Sequence, residues 1–282
     1  MKKLLKSGIK TSVNLGARLL PSLPGGEYVF QRLLETAMET VESARHGDVT
    51  MRFAAPNALC RYRVSSFSTK EPETLEWMDA IPPGSVMWDI GANVGLYSVY
   101  AAKTRGARVF AFEPSVFNLE LLARNIFLNH LQQQVGIVPV ALSSQSGPSL
   151  FRMSTTQWGG ALSTFGEEYG QDGKTLASLF EYQTCGMRMD DVCARLGLAL
   201  PQYIKIDVDG IEHLILSGGA AVLKQTESVL VEINDDFAQQ AEESSQLLRQ
   251  AGLTLHRKCD LNASNQFNQW WVRSGNTGRQ GD

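Results

Sequence analysis

The sequence lacks the features that mark several specialised classes of protein. It has only four cysteines among 282 residues, and their scattered spacing fits neither a zinc site nor a disulfide framework. It has no apolar run of the roughly 20 residues that a membrane-spanning helix needs. Its formal net charge of −3 gives no basic excess of the kind that nucleic-acid binders carry. We therefore expect a cytoplasmic protein without nucleic-acid partners.

The chain changes character near residue 85, which suggests an N-terminal helical extension over residues 1–84 and a larger domain over residues 85–274. The extension contains two helix-like segments and a lead-in strand, at residues 3–20, 30–44 and 61–67. Pro82 and Pro83 close it, because proline neither continues a helix nor donates to a sheet. We expect residues 275–282 to be a disordered tail.

Short apolar strands alternate with amphipathic helices after residue 85. The predicted strands are residues 86–90, 109–112, 135–140, 203–208 and 229–233, and the predicted helices are residues 93–103, 115–129 and 237–251. This alternation is typical of a Rossmann-like α/β fold with a mostly parallel sheet and helices on both faces. Ligands of such sheets bind beyond the carboxyl ends of the strands, so the loops after the strands are the candidate sites.

The loop after the first of these strands has the pattern of a nucleotide-like site. Gly91 and Gly95 let the backbone turn tightly, and Ala92 and Asn93 lie between them where a ligand can approach closely. The spacing is not the Gly-x-Gly-x-x-Gly of a pyrophosphate site. Asp89 precedes the first glycine by two residues and suits a ligand with an ammonium group. The methionine end of S-adenosylmethionine carries such a group.

The loops after the next two strands supply further ligand contacts. Glu113 and Pro114 follow the second strand, and Glu113 lies 22 residues beyond Gly91, where an acid can bind the two hydroxyls of a ribose. Ala141 and Leu142 follow the third strand and are candidates for the edge of the adenine. The alternative is that these acids are merely exposed at strand ends and that the glycines only shape turns.

The fourth strand places charge where both faces of the sheet should be covered. Lys205 and Asp207 share one face of it, and a buried charge must be paired or useful. Asp207 is well placed to act beside the donor methyl, and the alternative is a structural pair of Lys205 with Asp207 or with Glu232. Asp209 and Glu212 have the spacing of a helix capping box, which competes with a catalytic role. The neighbouring His213 is expected to be an exposed or half-packed helix residue.

These motifs together resemble the FkbM-type family of S-adenosylmethionine-dependent methyltransferases. The resemblance covers roughly residues 86–233 and rests on the segments 89–95, 112–114 and 205–212 and on Asn125 and Asn129. It implies a class I methyltransferase fold of seven strands, with an antiparallel last strand at residues 269–272 beside residues 254–257. It also implies methyl transfer from S-adenosylmethionine to a hydroxyl of a sugar, glycolipid or secondary metabolite. The sequence departs from the family pattern at Asp209, where glutamate is more usual.

The predicted reaction is an in-line displacement in which Asp207 or Asp209 orients or deprotonates the acceptor hydroxyl, with Lys205 and Glu212 as further catalytic candidates. Trp158 and Tyr97 are candidates for contacting a small-molecule or glycan acceptor, although Trp158 can equally anchor its loop. Two alternatives stay open. One is magnesium assistance by Asp207, Asn234 and Asp235, and the other is a non-catalytic module that binds S-adenosylmethionine.

The N-terminal 26 residues form a basic, amphipathic segment. They contain five lysines and arginines and no acid before Glu27, and Lys6, Lys10 and Arg18 fall on one side of a helical wheel. Such a helix can lie on an anionic membrane, which would place the enzyme peripherally at the inner face. The alternative is that its apolar face packs on the catalytic domain or on a second subunit of a homo-oligomer.

Overall fold

A computed structural model describes residues 2–260 and 265–273 of the chain, so the predicted tail at residues 275–282 lies outside the described residues. The helices are α1 (Lys2–Leu19), α2 (Gly26–Met38), α3 (Ala58–Lys70), α4 (Pro72–Asp79), α5 (Leu96–Arg105), α6 (Val116–Leu128), α7 (Met189–Leu196), α8 (Glu212–Ser217), α9 (Ala220–Leu223) and α10 (Ala238–Gln250). The strands are β1 (Val41–His46), β2 (Val49–Ala54), β3 (Val86–Ile90), β4 (Arg108–Phe112), β5 (Val135–Val138), β6 (Ala141–Leu142), β7 (Gly147–Met153), β8 (Ser163–Phe165), β9 (Phe180–Met187), β10 (Tyr203–Ile206), β11 (Ser228–Asn234), β12 (Leu253–Asp260) and β13 (Gln266–Arg273).

The central sheet has seven strands in the order β12-β13-β11-β10-β3-β4-β5. Strands β11, β10, β3, β4 and β5 run parallel, whereas β13 is antiparallel to both of its neighbours. The predicted pairing of residues 254–257 with 269–272 is confirmed, since Thr254 lies opposite Val272. Side chains of β3, β4 and β10 are buried on both faces, as expected for strands between two helical layers. The predicted class I methyltransferase fold is therefore confirmed.

A second sheet, which the sequence analysis did not predict, is formed by strands that follow β5 in the chain. Its four strands follow the order β6-β9-β7-β8. Strand β7 therefore lies between β9 and β8 and is antiparallel to both. Phe151 and Phe165 face the main core from this sheet. The ring of Phe165 occupies the space that a side chain at Gly186 would need. This sheet therefore builds one wall of the space above β3 and β4.

The structure corrects two predictions in the N-terminal part. Residues 61–67 lie inside helix α3, not in a strand, because Asn57 caps the helix by accepting from the Cys60 N–H at 2.8 Å. The buried side chains Cys60, Val64 and Phe67 then follow helical spacing. Residues 41–44 belong to the hairpin β1–β2, whose turn contains Gly47 at φ +54°.

The hairpin β1–β2 is tied to the large domain by two asparagines on α6. The buried Asn125 accepts from the Ala54 N–H and donates to the Val94 carbonyl, both at 2.7 Å. Asn129 accepts from the Arg52 N–H at 3.0 Å and donates to its carbonyl at 2.7 Å. Hydrophobic residues of β2, α3 and α4 share a core with β3 and β4. The segment from residue 41 onward is thus continuous with the large domain and not an appendage to it.

Crossing a bilayer requires a helix of about 20 predominantly apolar residues. Within residues 2–260 and 265–273, no helix meets both conditions.

Candidate active site

Two adjoining cavities open at the carboxyl ends of the parallel strands. The larger has a volume of about 310 Å³ and the smaller one of about 210 Å³, and the larger falls at the lower end of the size range of small-molecule sites. Six residues line both cavities, namely Arg63, Lys70, Glu71, Gly91, Asn93 and Asp207. The two spaces therefore meet beside the glycine loop that follows β3.

The predicted glycine loop lies at this junction. Gly91 has φ +82°, and a Cβ there would overlap the carbonyl of Asp207, so only glycine lets the loop pass against the end of β10. Ala92 lines the smaller cavity, and Asn93 lines both. Gly95 does a different job, since it precedes α5 with φ +81° and a Cβ there would collide with Leu122 of α6. The loop thus exposes backbone to the cavity at Gly91 and packs helices at Gly95.

Glu113 lies in the wall of the larger cavity, as predicted. Its carboxylate accepts from the backbone N–H groups of Asn93 at 2.8 Å and Ser115 at 2.7 Å, one on each oxygen. Burial raises the pKa of Glu113 to about 7, although these two N–H groups oppose the shift. A carboxylate has about four acceptor positions, so each oxygen retains room for one hydroxyl. This geometry fits a vicinal diol such as that of a ribose.

Apolar residues line the larger cavity together with Glu113. Pro114, Ala141 and Leu142, which the sequence analysis proposed as cofactor contacts, line this cavity. The sequence missed the aromatic rings of Phe151 and Phe165, which the second sheet brings to the same wall. The signal that could have found Phe151 was the alternation of apolar and polar residues at the end of β7. Apolar wall residues next to a carboxylate suit an adenosine, because its base is flat and apolar and its ribose carries two vicinal hydroxyls.

Asp89 does not reach either cavity wall. It is buried, and its Oδ2 accepts from the Ser98 hydroxyl at 2.5 Å. Its Oδ1 has no hydrogen-bond partner among residues 2–260 and 265–273. Burial raises the pKa of Asp89, whereas Lys205 and Ser98 oppose the shift. The predicted direct contact between Asp89 and the donor ammonium is therefore not the arrangement seen here, because the side chain points behind the wall toward the start of α5.

Lys205 and Asp207 form the ion pair that was one of the two predicted for Lys205. Their Nζ and Oδ2 atoms are 2.8 Å apart, with the lysine buried and about a third of the aspartate side chain exposed. The ammonium also lies 4.9 Å from the centre of the Tyr97 ring. Burial opposes ionisation of Asp207, but the Lys205 charge outweighs it and holds the pKa of Asp207 below its usual value. Asp207 is thus a permanent anion at the junction of the cavities.

A second charged group comes from α3 and its C-terminal end, which the sequence analysis missed. The buried Glu71 accepts from Lys70 Nζ at 2.5 Å and from the Tyr97 hydroxyl at 2.9 Å. Tyr97, a predicted acceptor contact, lines the smaller cavity, but its hydroxyl is already engaged in the hydrogen bond to Glu71. Arg63 donates from Nε to the Gly159 carbonyl at 2.7 Å. Its two terminal nitrogens make no hydrogen bond to any residue that the structure describes, so they remain available to a ligand.

Asp209 lies in the wall of the larger cavity in a left-handed backbone conformation, with φ +63°. Its Oδ2 accepts from the N–H groups of Leu162 at 2.7 Å and Ser163 at 3.3 Å. Burial and the Asp207 charge raise the pKa of Asp209 to about 6. The predicted capping box is wrong, because Asp209 holds the 162–163 segment and does not cap α8.

Glu212 is a structural residue in this arrangement, and the catalytic role predicted for it is not supported by its position. It is buried behind the cavity wall, where it accepts from the N–H groups of Val208 and Gly210 and from the side-chain amide of Gln240. Burial raises its pKa to about 7. His213 is also buried, 3.5 Å from the Tyr169 hydroxyl, so the expectation of an exposed or half-packed residue is wrong.

Glu232 is a wall residue that the sequence analysis considered only as a partner of Lys205. It follows Val231, which lies opposite Ile206, and so Glu232 sits beside Asp207 across the sheet. Burial, and then the Asp207 charge, raise its pKa well above the ordinary value for glutamate. Its signal in the sequence was a single charge inside an otherwise apolar strand.

Trp158 anchors its loop instead of facing the acceptor. Its side chain is half-buried against the small core cluster that includes Cys60 and Leu121, and its carbonyl accepts from the Asn57 amide at 2.9 Å. Trp158 does not contribute to the lining of either cavity. Of the two readings of Trp158, the structure favours the loop anchor.

The three predicted magnesium ligands do not converge. Asp207 pairs with Lys205, and Asp235 pairs with Lys258 at 2.5 Å. Asn234 donates to the Gln171 carbonyl at 3.0 Å and accepts from the Asp236 N–H at 2.9 Å. Among the residues that the structure describes, no group of three or more histidine, cysteine or acidic side chains is arranged to hold a metal.

Comparison with known proteins gives one family. Residues 89–259 match the methyltransferase FkbM domain. Similar proteins include the antimetabolite synthetase AmbE of Pseudomonas aeruginosa, with 29% identity over 69% of this chain and 11% of AmbE. The 31-O-demethyl-FK506 methyltransferase FkbM of Streptomyces tacrolimicus is 28% identical over 48% of this chain and 60% of its own length. The hexuronic acid methyltransferase AglP of Haloferax volcanii is 28% identical over 53% of this chain and 56% of its own.

The matched segment contains the glycine loop, Glu113 and the strand end at Asp207, which line the cavities. Three further lining residues, Arg63, Lys70 and Glu71, precede it. It covers more than half of the 282 residues, whereas the chain spans less than two thirds of each of these three relatives. The chain belongs to the FkbM methyltransferase family, and the cofactor that this family implies is S-adenosylmethionine.

Proposed function

We propose that this protein transfers a methyl group to a hydroxyl oxygen of a small, polar acceptor such as a sugar. The observation that carries the proposal is the position of Asp209 in the cavity wall, next to Asp207 and in reach of the same space as Glu113. The names of two relatives each support one part of the proposal, because one names an O-demethylated form of FK506 and the other a hexuronic acid, which is a sugar.

Different regions of the two cavity walls suit different parts of the donor. The apolar side chains around Leu142 and Phe165 would hold the adenine, and Glu113 would accept from both ribose hydroxyls. The methionine end would then enter the smaller cavity, where Arg63 offers free N–H groups to a carboxylate and Asp207 offers a fixed negative charge to an ammonium. When bound, S-adenosylmethionine supplies an electrophilic methyl group on a sulfonium.

The two aspartates have different electrostatic character, which suggests different roles. Lys205 keeps Asp207 ionised and weakly basic, which suits a counter-charge. The pKa of Asp209, raised to about 6, lies closer to neutrality and suits a group that accepts a proton from a hydroxyl. One oxygen of Asp209 is fixed by two backbone N–H groups, and the other makes no hydrogen bond to a described residue.

The wall around Asp209 is hydrophilic. Gln171 and Gln266 line the larger cavity and are joined by a hydrogen bond of 2.9 Å, and Glu232 lies in the same wall. Amide and carboxyl groups of this kind can donate to and accept from the hydroxyls of a sugar. A hydroxyl-rich acceptor is therefore favoured over an apolar one.

The test is methyl transfer from isotopically labelled S-adenosylmethionine to a panel of hexuronic acid glycosides, neutral hexosides and amino sugars. We expect labelled product that survives mild alkali, because a methyl ether survives and a methyl ester is hydrolysed. Nuclear magnetic resonance of the product identifies the methylated atom. Transfer to nitrogen, or an alkali-labile product, would contradict the proposal. Activity that is lost in EDTA and restored by magnesium would revive the metal-assisted alternative.

A further inference from the structure

Helices α1 and α2 present apolar side chains that nothing in the described structure covers. Eight large apolar residues between positions 13 and 34 are exposed, with Tyr28 at 70%, Leu15 at 58% and Leu33 at 58% of full exposure. The complete set is Val13, Leu15, Leu19, Leu23, Tyr28, Val29, Leu33 and Leu34. An exposed apolar surface of this extent marks a site of contact with another protein or with a membrane.

The two helices pack mainly on the short turn between them, at Leu20–Ser22. The three hydrophobic cores that the structure describes begin at Ala44 in sequence order and include no residue of α1 or α2. Among residues 11–38, only Gly26 is buried. The alternative in which this segment packs on the catalytic domain therefore has no support in the structure.

The spacing of the apolar residues is that of a surface helix. In α2, Phe30, Leu33, Leu34, Ala37 and Met38 follow the i, i+3, i+4, i+7, i+8 pattern. The pair of Arg32 and Glu35, joined at 2.5 Å, lies between these positions on the exposed helix. Helix α2 can therefore lay one apolar stripe on a surface and leave its charged side in water.

Charge distinguishes between the surfaces that could cover this stripe. Residues 1–26 contain five lysines and arginines and no acid. A second copy of this chain meeting the segment through a two-fold axis would bring two such basic segments together, which is unfavourable. An anionic bilayer supplies the opposite charge together with an apolar layer.

We propose that α1 and α2 bind the surface of a membrane rich in anionic lipids. The exposed apolar side chains of residues 13–34 enter the boundary between headgroups and acyl chains, and the positive charge of residues 1–26 is attracted to the lipid phosphates. The contact is peripheral, and it holds the cavities near the bilayer without a membrane-spanning helix. Membrane attachment is independent of which acceptor atom is methylated.

The experiment is co-sedimentation of the full chain with vesicles of phosphatidylcholine, with and without phosphatidylglycerol. We expect binding to the anionic vesicles only, and its loss at high salt, because screening weakens the electrostatic contribution. Leu15→Asp with Leu33→Asp should lower the bound fraction at least tenfold. Leu179→Asp is the matched control, since Leu179 is also exposed, at 68%, and lies far along the chain in the second sheet region. The control should bind like the wild type.

Light scattering and an activity assay complete the test. The Leu15→Asp, Leu33→Asp protein should remain folded and should methylate a soluble acceptor as the wild type does, which separates membrane attachment from catalysis. Equal binding to neutral and anionic vesicles would overturn the electrostatic part of the proposal. A wild-type dimer that the double substitution dissociates, with no vesicle binding by either protein, would show that a second copy covers this face.

Discussion

The buried ammonium of Lys205 lies 2.8 Å from the carboxylate of Asp207, and Asp207 borders both cavities. The carboxylates of Asp89 and Glu71 also act on Lys205, and together the three acids outweigh the effect of burial and raise its pKa. The pair therefore stays charged across the physiological range. Asp207 and Asp209, two residues apart, therefore differ in basicity, which is what the separate roles proposed for them require.

The first prediction concerns Asp209. Asp209→Asn keeps the side chain's size and its acceptor oxygen for Leu162 and Ser163, but removes the base. We expect kcat to fall by about 10² to 10⁴-fold, with the affinity for S-adenosylhomocysteine unchanged within about twofold. Asp207→Asn should do the opposite and mainly weaken that affinity. Single-turnover kinetics with calorimetry measures both, and full activity of the Asp209 variant would remove it from the mechanism.

The second prediction is a pH dependence. The pKa of Asp209 is raised to about 6, so its carboxylate is ionised above that pH and protonated below it. At saturating donor, the rate of methyl transfer should therefore be constant at neutral pH and fall about tenfold per unit below pH 6, as expected for one required base. The low-pH limb should disappear in Asp209→Asn, whose residual rate should not vary over this range. A limb that persists in the variant would assign it to another group.

The third prediction concerns Glu113. Glu113→Gln removes the negative charge from the diol site, so it should weaken S-adenosylhomocysteine and 5′-methylthioadenosine alike, because both carry the ribose. A loss of about 10- to 100-fold corresponds to hydrogen bonds made to a charged group. Since burial raises the pKa of Glu113 to about 7, wild-type affinity for both ligands should also decline as the pH falls below 7. Isothermal calorimetry of both ligands across this pH range provides the check. Unchanged affinity in the variant would place the ribose elsewhere.

The parts of the molecule that sequence predicted are those whose signals are local. Apolar strands and the glycine loop carry their own patterns, so the parallel strands after residue 85 and the positions of Gly91 and Glu113 were accessible. The contribution of α3 was not, because residues 61–67 alternate like a strand and become helical only through the Asn57 cap and the packing of Val64 and Phe67. The charged groups at the junction of the two cavities were missed with it, since Lys70 and Glu71 lie at the C-terminal end of α3.

Asn125 is a second residue whose structural role could not be predicted from local sequence. The family resemblance included it, but its partners lie 71 and 31 residues away along the chain, so its function could not be inferred from spacing. Similarly, Asp89 has the sequence position of a ligand residue, yet its carboxylate accepts from the Ser98 hydroxyl and lies beside the buried Lys205 of the neighbouring strand. Long-range contacts of this kind depend on the assembled sheet.

The fourth prediction concerns the clamp that Asn125 of α6 forms on the hairpin β1–β2 through its hydrogen bonds to Ala54 and Val94. Asn125→Ala would leave the Ala54 N–H and the Val94 carbonyl unpaired in the core, at about 1 to 3 kcal/mol for each group. We expect the free energy of unfolding to fall by about 2 to 5 kcal/mol in urea titrations. Glu120→Ala on the same helix removes only an exposed pair with Arg124 and should change it by less than about 1 kcal/mol. Equal effects of the two substitutions would argue against the clamp.

The last prediction concerns Arg63 and the amino-acid end of the donor. If its free guanidinium nitrogens bind the methionine carboxylate, Arg63→Met should weaken S-adenosylhomocysteine by about 10- to 100-fold. It should leave 5′-methylthioadenosine unchanged, because that ligand lacks the amino acid. The comparison also covers the loss of the Nε bond to Gly159, since a displaced loop would weaken both ligands. Arg61→Met, at an exposed position of the same helix, should bind both ligands like the wild type. Equal loss of both ligands in the Arg63 variant would make Arg63 a loop anchor, and no loss of either would take the methionine end out of the smaller cavity.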